Sequence, residues 1–200
     1  RLLAGQGFTF ETYAVVDGIF PDSETACDGW LITGSKHGVY EDHAWLPPLE
    51  ALIRAARAAD VPVVGICFGH QIIAQALGGR VEKFAGGWAV GRQAYQMGGV
   101  TLHQNAWHQD QVITAPAEAE VVAANDFCAN AALVYGDKAF SVQWHPEFEA
   151  DFVKALIELR GPGVVPAGQL AEAAANLDAP VENAVVAAQI GRFFRERRIA

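Results

Sequence analysis

The sequence predicts an α/β fold: an open, mainly parallel sheet with helices packed on it and a portion built of antiparallel hairpins. Three observations carry this. Helical and strand patterns alternate through the first third of the chain, the order expected of parallel strands joined by crossover helices. Short alternating segments separated by glycines fill the middle third, which reads as antiparallel hairpins. Two hundred residues, 52% hydrophobic and 18% charged with 20 glycines, suit a single α/β domain with a sizeable core.

The elements follow in order. Arg1-Leu2-Leu3-Ala4-Gly5 has the form of a helix end with a glycine stop, so a strand and most of a helix are expected ahead of it. Residues 8–16 alternate apolar and polar, as a strand does. Residues 17–28 hold turn and capping residues (Gly18, Pro21, Asp22, Ser23) and read as an irregular link. Residues 30–33 form a short apolar strand that ends at Gly34-Ser35. Residues 45–59 place Leu46, Leu49, Leu52, Ile53 and Ala56 at three- and four-residue steps, the stripe of an amphipathic helix. Asp60 ends it, and residues 61–66 are a buried strand.

Residues 70–77 continue as a helix that stops at Gly78-Gly79. Hairpin strands are expected over residues 90–97, 100–102, 112–114 and 120–124. Residues 133–135 and 139–144 flank Gly136-Asp137, a hairpin turn signal. Residues 148–159 are helical and Gly161-Pro162-Gly163 breaks that helix. Residues 167–176 and 181–197 then make a helical extension over 161–200 of a single domain spanning 1–200.

Composition excludes several classes of function. The net charge is −9 and the basic residues are scattered, whereas nucleic-acid binding needs a concentrated basic face. The cluster Arg192, Arg195, Arg197 and Arg198 reads as the solvated end of a helix, where cations suit the dipole. No apolar run approaches the ~18–20 residues of a membrane span, and no signal peptide is seen. Cys27, Cys67 and Cys128 are too few and too irregular for a disulfide framework or a zinc site. Their odd number points to a reducing compartment, the cytoplasm. The six histidines show no ligand spacing such as H-E-x-x-H, so neither a metal nor a cofactor is implied.

Two segments carry chemistry. Gly65-Ile66-Cys67-Phe68-Gly69-His70-Gln71 lies between a buried strand and a helix, the setting of a nucleophile elbow. There Cys67 sits at a helix N-terminus, which favours a thiolate, and Gly65 and Gly69 flank the turn where side chains would not fit. Gln143-Trp144-His145-Pro146-Glu147 follows another strand. Pro146 favours an extended His145, and residues two apart in an extended segment point the same way, so Glu147 can reach and orient the imidazole. Cys67, His145 and Glu147 are the parts of a cysteine-nucleophile acyl-transfer site. The oxyanion donors are the Phe68 backbone N–H and the Gly34-Ser35 strand end. Each group has a plainer reading: a buried structural cysteine, a strand-end histidine, a turn glycine. His70 follows the elbow on the helix and reads as packing.

These residues resemble the class I glutamine amidotransferase family over roughly residues 30–159. The resemblance implies a flavodoxin-like sheet with helices on both faces, and attack on the γ-carboxamide of glutamine to give a γ-glutamyl thioester and ammonia. It implies Cys67 as nucleophile, His145 as general base and acid, and Glu147 as its orienting carboxylate. Gln71 matches a position that helps hold the substrate, and the Ser35 and Phe68 amides match the oxyanion donors. Asn105-Ala106-Trp107-His108-Gln109-Asp110 resembles the loop at the amino-acid end of the substrate, which places Trp107 and His108 there; His108 reads equally as a structural histidine.

In place of the commoner Gly-Gly-Pro, the oxyanion loop here is Gly34-Ser35-Lys36-His37-Gly38-Val39-Tyr40-Glu41-Asp42, as in stand-alone, GMP-synthase-like amidotransferase domains. Residues 65–79 with Gly87-Trp88-Ala89-Val90-Gly91 are also similar to γ-glutamyl peptidases of the same fold. Three functions therefore stand side by side. One is an amidotransferase whose synthetase partner is a separate protein, since the chain has no G-x-x-x-x-G-K-[ST] and no length for that domain. The second is a free-standing γ-glutamyl peptidase acting on small γ-glutamyl compounds. The third is a non-catalytic binding module.

Overall fold

The structure, a computed structural model, describes residues 2–200. Nine strands and five helices follow in the order β1 (Trp30–Ile32), α1 (Leu46–Ala58), β2 (Val63–Ile66), α2 (Phe68–Ala76), β3 (Arg80–Lys83), β4 (Ala89–Met97), β5 (Val100–His108), β6 (Asp110–Thr114), β7 (Glu120–Ala124), β8 (Ala132–Tyr135), β9 (Ala139–Val142), α3 (Ala150–Leu159), α4 (Ala167–Ala175) and α5 (Asn183–Glu196). Seven strands make one mixed sheet in the order β1-β2-β9-β8-β7-β4-β5, and β3 pairs with β6 in a second, two-stranded sheet. β1, β2 and β9 run parallel. From β9 to β5 every pairing is antiparallel. No helix among the described residues is long and apolar enough to cross a membrane.

The sheet is covered on both faces because successive strand residues point to opposite sides. Val63 of β2 packs with Leu49 and Ile53 of α1 and with Ile72 and Ile73 of α2. Its neighbour Val64 packs in a second cluster with Val186, Ile190 and Phe193 of α5. All four residues of β2 and all four of β9 are buried, as strands sandwiched between helices must be. α4 lies over β4, where Ala173 meets Val90.

Two expectations change. Residues 8–16 are not a strand: the backbone is irregular up to a 3₁₀ turn at Val15–Asp17. Alternation reports only that one side of a segment is covered, and here the cover comes from side chains rather than a ladder. Phe8 packs edge-on against Phe194, and Tyr13 edge-on against Trp30. β5, expected to end at Leu102, runs on to His108 and pairs with β4 over nine residues. Its polar residues hid this, since Gln104, Asn105 and His108 look like a loop and are buried.

Candidate active site

β2 passes into α2 with one residue between them, and that residue is Cys67. Its N–H still donates to the Val142 carbonyl at 2.8 Å, extending the β2–β9 ladder, while its own carbonyl already accepts the Gln71 N–H at 3.1 Å as the first helical bond. Serving both elements forces φ to 53° and ψ to −104°, a left-handed backbone that costs a non-glycine residue on the order of 1–2 kcal/mol. The crowding explains the flanking glycines. A Cβ on Gly65 would strike the Gly69 backbone, and one on Gly69 would strike the Ile32 carbonyl.

His145 follows β9, the strand next to β2, and its N–H donates to the Asn105 carbonyl at 2.8 Å. A turn follows it, with Pro146 and Glu147 at its centre: the Phe148 N–H donates to the His145 carbonyl at 3.1 Å. Glu147 reaches the imidazole, with its Oε1 2.7 Å from His145 Nδ1. The turn also stacks the Phe148 ring on the imidazole, centroids 3.8 Å apart and planes 6° from parallel. Side-chain amides of Asn105 and Asn183 hold the Phe148 carbonyl at 3.0 and 3.1 Å. With Nδ1 engaged by Glu147, Nε2 is the nitrogen left to face a partner.

Gly34 follows β1, the strand on the other side of β2. A Cβ there would come 2.8 Å from His145 Cε1 and 3.7 Å from Cys67 Cβ, so the Gly34 backbone lies close to both the imidazole and the Cys67 side chain. Burial is the largest influence on His145 and alone would lower its pKa. The charge and hydrogen bond of Cys67, then the hydrogen bond and charge of Glu147, outweigh burial and raise it to about 10. Such a series of thiol, imidazole and carboxylate can move a proton between sulfur and a leaving group.

The remaining predicted residues fall into two groups. Phe68 is the first residue of α2, so its N–H belongs to those a helix leaves without an intrahelical partner. Ser35 turns its hydroxyl back to accept the His37 N–H at 3.3 Å. Gln71 is buried, and its side-chain amide donates to the Asp110 carbonyl at 2.9 Å and to Gln143 Oε1 at 3.1 Å. Trp107 and His108 lie in β5 rather than in a loop. Trp107 packs with Trp88. His108 is buried; burial, then the charge of His145, push its pKa down to about 3. His70 is buried too, with Nδ1 2.8 Å from Ser141 Oγ, and burial lowers it likewise to about 3.

The positioning role of Asn105, and Phe148 altogether, escaped the sequence reading. Each stands beside a motif residue, but only the fold shows that the one holds the strand end and the other the ring.

The sequence profile of the family described as glutamine amidotransferase class-I matches residues 12–152. The chain is 28% identical to γ-glutamyl peptidase 3 of Arabidopsis thaliana over 170 residues, 76% of this chain and 68% of that protein. It is 30% identical to one of the subunits of the glutamine-hydrolyzing GMP synthase of Halobacterium salinarum over 146 residues, 68% of this chain and 75% of that one. A glutamine amido transferase crystal structure from Methylobacillus flagellatus superposes with a TM-score of 0.79 at 24% identity, covering 98% of this chain and 86% of that chain.

Proposed function

The chain belongs to the class I glutamine amidotransferase family, and on that footing we propose that it hydrolyses the γ-glutamyl amide of glutamine through a Cys67-His145-Glu147 triad. The Cys67 sulfur attacks the γ-carboxamide carbon. The developing oxyanion is held by the backbone N–H groups of Phe68 and of the Gly34-Ser35 turn. The C–N bond then breaks as His145 passes the proton to the leaving nitrogen, giving ammonia and a γ-glutamyl thioester. A water molecule, deprotonated by His145, attacks the thioester and releases glutamate and the thiol. Glu147 holds the Nδ1 proton in place, so Nε2 is the working nitrogen. Gln71, Trp107 and His108 line the acyl and amino-acid side of the pocket.

The observation that supports this most directly is the convergence of Cys67 and His145 on Gly34 at three adjacent strand ends, with Glu147 2.7 Å behind the ring. A second reading, hydrolysis of γ-glutamyl bonds in glutathione-like compounds, draws on the likeness to γ-glutamyl peptidase 3. It uses the same thioester and differs only in the leaving group. As an amidotransferase the chain would deliver ammonia to a synthetase on a separate subunit, in keeping with the likeness to a protein named as part of a synthase. Residues 1–200 act as one unit in either case, in the reducing cytoplasm that suits a reactive thiol.

Glutamate release from glutamine and from glutathione tests the readings together. Turnover of glutamine, alone or once a synthetase is added, supports the amidotransferase; turnover of glutathione only supports the peptidase. No turnover of either, with Cys67 inert to alkylation, makes the chain a binding module.

A further inference from the structure

We propose that His37, Glu41 and His43 form a binding site for a zinc-like divalent transition-metal ion. Their spacing, H-x-x-x-E-x-H, is not one of the linear patterns by which metal sites are read from sequence. The chain between β1 and α1 folds back on itself and brings them together. Among the described residues this is the one group of three side chains whose ligating atoms converge, all within 4.8 Å of one another. Glu41 Oε2 is 2.7 Å from His43 Nε2 and 3.4 Å from His37 Nδ1. Ligand atoms around a tetrahedral zinc at ~2.0–2.1 Å stand about 3.3 Å apart, so small side-chain rotations seat an ion. Two imidazoles and one carboxylate suit zinc, nickel or copper rather than magnesium or calcium. Three protein ligands leave a fourth position for water.

The ligands are set in place by packing. The His43 ring stacks on Trp45, with centroids 5.5 Å apart and planes 13° from parallel, and the His37 ring meets Trp45 edge-on at 5.7 Å. The two imidazoles stand edge to face at 4.5 Å. Trp45 is itself buried against Phe68, 5.7 Å away. Turn bonds from the Glu41 N–H to the Gly38 carbonyl at 3.3 Å and from the His43 N–H to the Glu41 carbonyl at 3.1 Å hold the loop. An ion pair would need only one histidine; a second imidazole aimed at the same carboxylate oxygen is what a metal uses. The loop starts at Ser35, whose hydroxyl takes the His37 N–H, so a bound ion stiffens the segment beside Gly34.

The test is calorimetric titration of the full chain carrying Cys67→Ala with zinc ion at about pH 7.5, where free imidazole is neutral. That background removes the other thiol-and-imidazole pair able to take zinc. One equivalent should bind and raise the melting temperature. Adding His37→Ala with His43→Ala should abolish binding, and adding Glu41→Gln should weaken it at least tenfold. The cobalt(II) complex should show four-coordinate ligand-field absorption without a sulfur charge-transfer band. No binding to the Cys67→Ala chain overturns the proposal. So does binding that survives the double histidine substitution in a chain still folded by circular dichroism. Both outcomes leave the catalytic reading untouched, because the thiol is absent throughout.

Discussion

At the parallel end of the sheet, Gly65 and Gly69 are needed because there is no room: a single added carbon would enter a neighbouring backbone. In the antiparallel part, Gly98 and Gly136 have φ of 56° and 58° with nothing within 4 Å of an added Cβ. There the requirement is the dihedral of a tight turn. Crowding of three parallel strands and one helix is also what brings Cys67 and His145 close to Gly34. The hairpins supply cover around that point and are specified locally. The two buried cysteines follow the same division. Cys67 stands at the elbow, whereas Cys128, between β7 and β8, is buried and its thiol is pushed up to about 12.

That contrast breaks most sharply at the cysteines. Cys67→Ala should reduce turnover by at least about 10⁴-fold, whereas Cys128→Ser and Cys27→Ser should change it by no more than a few-fold, measured as glutamate release. Iodoacetamide should label Cys67 before Cys128; appreciable activity in Cys67→Ala would remove the nucleophile assignment. Next come the partners of the thiol. His145→Ala should cost about 10³-fold in kcat. Glu147→Gln should cost roughly tenfold less, because it disturbs the ring's orientation without removing the base.

The glycines sharpen the comparison through stability. Gly65→Ala or Gly69→Ala should destabilise by about 3 kcal/mol or more, since backbone must move to admit the methyl. Gly136→Ala should cost only about 1 kcal/mol and Gly136→Asn less, because asparagine tolerates a left-handed backbone. Denaturant unfolding of these four variants decides it; equal losses for the three alanine variants would mean that the parallel end is no more crowded than the hairpins.

The gentlest probe is pH. His145, raised to about 10, contributes stability that is complete below about pH 6.5 and lost as pH rises towards about 10. His70 and His108, lowered to about 3, act in the opposite sense. Below about pH 6.5 the unfolded chain takes up protons that the folded one refuses, and each histidine then removes about 1.4 kcal/mol per pH unit. Stability should therefore peak near neutrality. By NMR His145 should stay protonated through the neutral range and lose that elevation in Cys67→Ala, which removes the charge and hydrogen bond while burial remains.

Legibility in the sequence followed how local each feature is. The elbow could be read because a buried strand, Gly65, Cys67, Gly69 and a helix are contiguous, and His145 and Glu147 because a single residue separates them. The strand expected at residues 8–16 failed because alternation does not say what covers a segment. The extent of β5 was hidden by polar residues that only a neighbouring strand could bury. The turn that stacks Phe148 on the imidazole, and the meeting of His37, Glu41 and His43, depend on chain reversals with no periodic signature.

By itself the sequence determined most of the element types and the strand–elbow–helix around Cys67, and it offered the candidate reactive groups, because each rests on spacing of a few residues and on side-chain chemistry. Tertiary structure alone decided that β9 lies beside β2 and β1 on its other side, which brings residues 34, 67 and 145 to neighbouring strand ends. It also decided that His145 is raised while His70 and His108 are lowered. Strand order and burial are set by how the whole core packs, and a histidine's charge state depends on which neighbours the packing delivers to it.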